Sequence, residues 1–397
     1  MMLIKTGLLI DGTGGAAHPT CYLAIENGRI AGRGQAGDFA TADVAKAVDF
    51  SPYTVMPGLI DTHVHLFLEG ISDLKARTLR WKESKDTILI RAVNNLALAL
   101  RQGVTTVRDL GGPYGINALL KKAVSQGVTV GPQVLTACQA ISITGGHFHY
   151  AGGREADGPE EMVKAVREQA KGGADCIKIM MTGSVNFIRQ DAGVVELSQA
   201  ETQAVVHEAQ RLNKPVAVHA NGVDGVRQAL SAGVSTIEHG ALIDEVTADL
   251  IAASQVYWIP TLVPFERMLD YGRNHRTKTL PAEGIEQVYF RHQAMVLRAY
   301  QAGAKIVAGT DAGALGVEHG DVWREIGLLV ECGLPPVAAL HAATGLAAKA
   351  VGMDSQIGTI ETGKRADLLV LEGNPLMDIT CIRKIVTVFK NGKEYPR

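Results

Sequence analysis

Apolar and polar positions repeat one grammar through the middle of the chain. A helix-like run ends at glycine, and a short run rich in β-branched residues follows. The junctions read RQGVTTVRDLGG (101–112), SQGVTVGPQVLTA (125–137), KGGADCIKIMMTG (171–183), SAGVSTIEHG (231–240) and QAGAKIVAGTDAG (301–313). Glycine just past a helix end relieves the left-handed cap position. The apolar runs that follow are too short for helices and read as strands buried on both faces. Strand candidates fall near 55–65, 104–110, 133–142, 176–182, 215–221, 234–239, 256–262 and 305–311. Helix signals lie between them. Pro159 with Glu160 and Glu161 reads as a first turn, and Ser198-x-x-Glu201 reads as a capping box. Ile285, Val288, His292, Met295 and Ala299 share one helical face. Alternation of this kind predicts an α/β fold, a parallel (β/α)8 TIM-like barrel. An open doubly wound sheet is the alternative, but no G-x-G-x-x-G follows a strand, so a dinucleotide site has no support.

The two ends read differently. LIKTGLLIDG, CYLAIENGRIAG and AKAVDFS at the start, and ADLLVLEGNP and IVTVFKNGKEY at the end, are short alternating strands. Asn27-Gly28 and Asn391-Gly392 signal hairpins. Neither end holds enough residues for a core of its own. Residues 1–54 and 353–397 are therefore expected to form one small β-sandwich domain beside a barrel spanning 55–352.

Composition narrows the class. Apolar residues make up 46% of 397, which supports a large core and argues against disorder. A net charge of −2 leaves no basic excess for nucleic acid. The five cysteines lie far apart with no C-x-x-C, which fits a reducing cytoplasm better than a disulfide scaffold. No apolar run reaches membrane-span length, and the first residues lack a signal-peptide pattern.

Candidate chemistry sits at strand ends. In PGLIDTHVHL (57–66), His63 and His65 are two apart and point to the same side of a strand. They lie where barrel active sites are built, and two converging imidazoles suit a divalent metal. Lys178 in CIKIMM is costly inside an apolar strand unless its charge is paired or removed. An ion pair answers that, and so does a carbamate formed with carbon dioxide. His219 ends PVAVHANG, His239 ends STIEHG, and Asp311 sits in IVAGTDAG. Singly, each reads as a core histidine or a turn aspartate. Together they place six metal-compatible groups around one barrel mouth. His147 follows Thr144-Gly145-Gly146, His319 stands in GVEHG as a rim candidate, and Arg189 in NFIRQDAG could grip a substrate carboxylate bidentately. Arg108 and Asp109 read as a structural ion pair.

PGLIDTHVHL, KIMMTG, VAVHANG, STIEHG, AGTDAG and GTIETGKRADLLVLEGNP resemble the amidohydrolase superfamily in its binuclear-metal class, over essentially the full chain. SITGGHFHYAGG, TTVRDLGG and IEHGALID resemble the imidazolonepropionase-related branch, which holds Xaa-Pro dipeptidases (prolidases) and carboxypeptidases releasing C-terminal Arg or Lys. The resemblance implies that His63, His65 and Asp311 hold the more buried of two divalent ions, with Zn expected. His219 and His239 hold the more exposed ion, and carboxylated Lys178 bridges both. It also implies that Asp311 shuttles the proton to the leaving amine and that His147 contacts substrate near the scissile bond. Two departures bear on the substrate: Phe148 follows His147 where glycine is common, and Phe265 stands where relatives often have Tyr. The expected activity is amide hydrolysis of a dipeptide or N-acyl amino acid by a cytoplasmic homo-oligomer with no nucleic-acid or membrane partner. The alternative substrate is a xenobiotic or secondary-metabolite amide, carbamate or ester. Further alternatives are a mononuclear imidazolonepropionase-like enzyme and an inactive scaffold.

Overall fold

The computed structural model describes residues 1–81, 83–184, 192–275 and 282–396. Strands β1 (Met2–Leu9), β2 (His18–Glu26), β3 (Arg29–Gly34) and β4 (Val48–Pro57) open the chain. They join β15 (Leu368–Leu371), β16 (Ile385–Lys390) and β17 (Lys393–Pro396) in one seven-stranded sheet of order β17-β16-β15-β4-β1-β2-β3. Both chain ends thus share a sheet. Asn27-Gly28 and Asn391-Gly392 turn its hairpins, all four with positive φ, the geometry that matches strand twist. The sheet curls so that these turns meet: Ala366 N–H donates to Gly28 O and Gly392 N–H to Ala366 O, each at 2.9 Å. Leu23, Ile30, Val55, Val370 and Phe389 close a core between its ends.

The barrel strands are β5 (Leu59–Val64), β6 (Val104–Asp109), β7 (Gln133–Thr136) with its continuation β8 (Ile141–Ser142), β10 (Ile177–Met180), β11 (Val216–Gly222), β12 (Thr236–Leu242), β13 (Tyr257–Ile259) and β14 (Lys305–Ile306). The short β9 (Arg154–Glu155) pairs beside β8. Neighbouring strands pair in parallel around the ring. Asp175 N–H to Thr136 O at 2.7 Å carries the ring from the third strand to the fourth. Asp311 N–H to His63 O and His65 N–H to Ala312 O, both 2.8 Å, close the eighth onto the first. The closed ring excludes the open-sheet alternative. Each strand predicted from the sequence lies at its place. The strand expected to begin at 55 divides, however: residues up to Pro57 belong to the curled sheet, and the barrel begins at Leu59.

Local signals hold at element ends. The junction glycines Gly103, Gly127, Gly173, Gly233 and Gly303 all have positive φ. Ser198 Oγ accepts from Glu201 N–H while the Glu201 carboxylate accepts from Ser198 N–H at 2.8 Å, the reciprocal cap expected before the helix Gln199–Arg211. Arg108 and Asp109, by contrast, do not pair. Adjacent strand residues face opposite ways. Arg108 crosses the barrel interior to Glu238, whereas Asp109 accepts from Leu66 N–H, Gly111 N–H and the Asn117 amide. Among the described residues no helix is long and apolar enough to cross a membrane.

Candidate metal centre

His63 and His65 project from the end of β5 beside Asp311, which follows β14. Their ligand atoms lie within 4.8 Å of one another. Both Nε2 atoms approach one Asp311 oxygen, at 3.5 and 3.4 Å. Asp61 fixes the relation of the two strands: its carboxylate accepts from His63 N–H, Thr310 N–H and the Thr310 hydroxyl at 3.3, 3.0 and 2.6 Å. The glycine of AGTDAG matters for the same reason. A Cβ on Gly309 would stand 3.0 Å from His63 Cβ and 2.6 Å from Ile259. His239 packs on His63 with ring centroids 5.0 Å apart, and His219 packs on His239 at 4.5 Å. Lys178 reaches the same space from β10 and acts electrostatically on all four imidazoles.

The rings are held from behind. His63 Nδ1 donates to Glu238 at 2.8 Å, and His65 Nδ1 donates to Gly111 O at 2.8 Å. His239 Nδ1 donates to Thr261 Oγ1 at 2.7 Å, because that hydroxyl spends its own proton on Pro260 O. Each of these rings therefore carries its proton on Nδ1 and presents the Nε2 lone pair, which is how ligand histidines are commonly oriented. His219 is turned the other way, with Nε2 3.4 Å from Gly183 O and 3.1 Å from the Asn221 amide. Its Nδ1 is the atom left to bind a metal. Burial drives His63, His219 and His239 well below the ordinary imidazole range and His65 to about 3. Neutral rings are what a cation needs.

Lys178 is 0% exposed, and among the described residues its Nζ has no hydrogen-bond partner. Burial lowers its ammonium to about 8, against the pull of Glu238. A bare buried ammonium without a partner is expensive, and the surrounding nitrogen and oxygen donors suit divalent ions of the Zn, Co or Mn type. The residues thus fit a metal centre. Asp311, also desolvated, is pushed up to about 7, with Lys178 and Arg77 pulling it back. His239, Thr261 and Asp311 have φ of 72°, 48° and 54°. Such left-handed backbone in non-glycine residues gathers at functional sites.

Other candidates separate. The His147 ring lies 4.5 Å from His219, at the mouth. His319 is not on the rim: it is buried, and its Nε2 donates to Leu68 O at 2.9 Å. Arg189 lies outside the described residues. Phe148 packs its ring 4.9 Å from His65, at a left-handed φ of 71°. Phe265 is buried edge-on to His292 at 5.0 Å, and His292 Nε2 donates to His239 O at 3.0 Å. Three residues escaped the sequence reading. Glu238 is a fully buried carboxylate linking His63 to Arg108, and a charge inside the apolar run STIEHG was its signal, the same one that marked Lys178. Asp61 lay within the motif PGLIDTHVHL itself. Arg77, on the helix Leu74–Arg80 above β5, donates to Gly313 O at 2.6 Å, and nothing local in the sequence marks it.

A closed parallel barrel with clustered imidazoles, a carboxylate and a buried lysine at its mouth is an arrangement suited to divalent metal. Residues 54–395 match the model of the Amidohydrolase family, and the chain belongs to that family. Ochratoxinase of Aspergillus niger is 31% identical, over 98% of this chain and 86% of its own. A Xaa-Pro dipeptidase solved with methionine bound in its active site shares 32% identity over 100% of both chains, with a TM-score of 0.91. A prolidase complexed with N-methylphosphonate-L-proline shares 30% identity over 100% of this chain and 99% of its own, with a TM-score of 0.88. The chain is a hydrolase acting on amide bonds.

Proposed function

We propose that this hydrolase cleaves the amide bond of a dipeptide or an N-acyl amino acid at a two-metal centre. The single observation that carries the metal count is Lys178, buried among four neutral imidazoles and a carboxylate with no hydrogen-bond partner among the described residues. A bridging ligand is what converts that lysine from a liability into a necessity. With its ammonium near 8, a neutral amine is accessible in mildly alkaline water. The neutral amine is the form that adds to carbon dioxide, and the carbamate so formed offers two oxygens and a negative charge. His63, His65 and Asp311 would hold one ion, His219 and His239 the other, with carboxylated Lys178 between them. Two divalent ions held there, with Zn expected, would supply Lewis acidity toward a carbonyl and a water acidic enough to ionise near neutrality.

The chain's own groups do the rest. Asp311, beside the position where the attacking water would be held, is suited to take its proton and give it to the leaving amine. His147, against His219, is placed to hold the substrate carbonyl side. Phe148 forms an apolar wall beside His65. The two similar solved structures support an amino-acid product side, since methionine and the proline phosphonate both carry a free carboxylate. Ochratoxinase, together with the Phe148 wall, supports a second reading, a xenobiotic or secondary-metabolite amide on the same chemistry. A panel of Xaa-Pro, Xaa-Arg and N-acyl aromatic amino acids, with metal content measured on the same preparation, tests both. Turnover of a dipeptide with two ions per chain is expected. Turnover confined to N-acyl aromatic compounds or carbamates would sink the peptidase reading, and one tightly bound ion would sink the bridge.

A further inference from the structure

Arg77 stands apart from the other cations of the barrel. Its guanidinium donates to Gly313 O at 2.6 Å, two residues past Asp311, and its cation feels both Asp311 and Tyr150. It also lies 6.0 Å over the Trp81 ring, which stacks on Tyr150 at 4.6 Å. Helix Leu74–Arg80 and the loop after β8 thereby close over the mouth, with Arg77 beneath the aromatic pair. The side chain is part-buried, and burial weakens its hold on the proton. Yet among the described residues no carboxylate lies within 4.0 Å of it, although Glu69, Glu83 and Asp73 are on the same segment. Glu69 and Glu83 are taken by Arg80 and Arg91, and Asp73 caps the helix. One of its five guanidinium N–H groups is spent on Gly313. The guanidinium lies close enough to Asp311 for the two charges to act on each other. A shielded cation with no carboxylate in contact among the described residues is costly unless an anion arrives to pair with it.

We propose that Arg77 is the receptor for the free carboxylate on the amino-acid half of the substrate. This rests on the dipeptide or N-acyl amino acid reading, and it sharpens the substrate class to amides whose leaving amine carries a carboxylate. The planar fork of an Arg binds a carboxylate with two parallel hydrogen bonds, and it fixes orientation as well as affinity. Anchored there, the substrate presents its leaving nitrogen toward Asp311, the proposed proton donor.

Two measurements on the metal-loaded protein test this separately. The first is calorimetric binding of L-proline, L-arginine and L-phenylalanine, each against its carboxamide. The second is the ratio of kcat/KM for a panel substrate and its C-terminal carboxamide. Wild type should prefer the acids in both. Arg77→Met should collapse that preference by roughly 10- to 100-fold, and Arg77→Lys should keep part of it, since a charge remains without the fork. Equal binding of acid and carboxamide by wild type overturns the assignment, whatever the variants do. So does a preference that survives Arg77→Met and vanishes in Arg189→Met. Melting curves of each variant show whether it folds, and the wild-type comparison needs no variant. Failure of every panel substrate to turn over, with acid-selective binding lost in Arg77→Met, would refute the dipeptide or N-acyl amino acid reading and leave the receptor in place.

Discussion

Lys178 and Glu238 are buried charges that the barrel keeps for opposite reasons. Lys178 has no hydrogen-bond partner among the described residues, so replacing it removes a cost as well as a ligand. Lys178→Ala should fold, lose the second ion and lose most turnover; elemental analysis beside an activity assay checks this, and wild-type-like turnover would refute the bridge. Reconstitution with metal should also be slower in buffer stripped of carbon dioxide and be restored by bicarbonate. Glu238 is fully paired, accepting from His63 Nδ1 and Arg108 at 2.8 Å each and from Thr236 at 2.5 Å. Glu238→Gln strands the buried Arg108 cation and frees the His63 ring. The expected loss is about 3–5 kcal/mol of stability, read by denaturant titration. Metal affinity should fall roughly 10- to 100-fold, read by competition with a chelator. Legibility at this scale followed one signal, a charge inside an apolar strand. Read for Lys178, it placed the lysine at the mouth; passed over in STIEHG, it hid the residue that orients His63. Arg77 carried no such signal, because an arginine on an exposed-looking helix is ordinary until a loop from the other end of the barrel covers it.

The helix Leu262–His275 shows how an element can depend on a distant carboxyl group. Its first N–H groups, Leu262 and Val263, donate to the two oxygens of Glu325 at 2.9 and 3.0 Å, and Glu325 is fully buried on the helix Val322–Glu331. Burial raises that carboxyl from its ordinary 4.5 to about 8, against the pull of both N–H groups. Between those values the folded chain holds a proton that the unfolded chain has released. Its contribution to stability is therefore full below about 4.5 and is lost as pH rises toward 8. Glu325→Gln carries no such slope. Its melting temperature, low relative to wild type at pH 5, should close on wild type by pH 8; a constant gap across thermal melts would show that Glu325 does not titrate there. Caps like Ser198–Glu201 were legible because donor and acceptor lie three residues apart, whereas the Glu325 cap joins residues about sixty apart and no local pattern records it.

The whole molecule is a closed ring clasped by a sheet made from both chain ends. Gly58 N–H donates to Asp367 O at 2.8 Å, and His341 Nδ1 donates to Gly12 O at 2.8 Å, so the two parts are stitched at several heights. Leu369, Leu371, Ile385 and Val388 of the sheet belong to the same apolar core as the barrel. A ligand bound at the barrel mouth should then stabilise the entire fold by mass action. Stripping metal with a chelator should lower the melting temperature of the whole protein in one transition and abolish turnover. Zinc should restore both, followed by calorimetry and assay on the same sample. A melting curve unmoved by the chelator would mean that no ion is bound among these residues.

Period, glycine punctuation and the alternation of short buried strands with helices were enough to specify a parallel barrel, because each is a property of neighbouring residues. Strand order then placed His63, His65, Lys178, His219, His239 and Asp311 at one mouth, because ends of parallel strands fall on one side. What the folded chain alone decided were relations between strands: that Arg108 reaches Glu238 and not Asp109, that His319 lies buried under Leu68, and that Arg77 comes to rest beside Asp311. Those depend on how far each strand is tilted and shifted against its neighbours, and on which loop covers which. Such quantities are set by packing of the closed ring and are written in no single stretch of sequence.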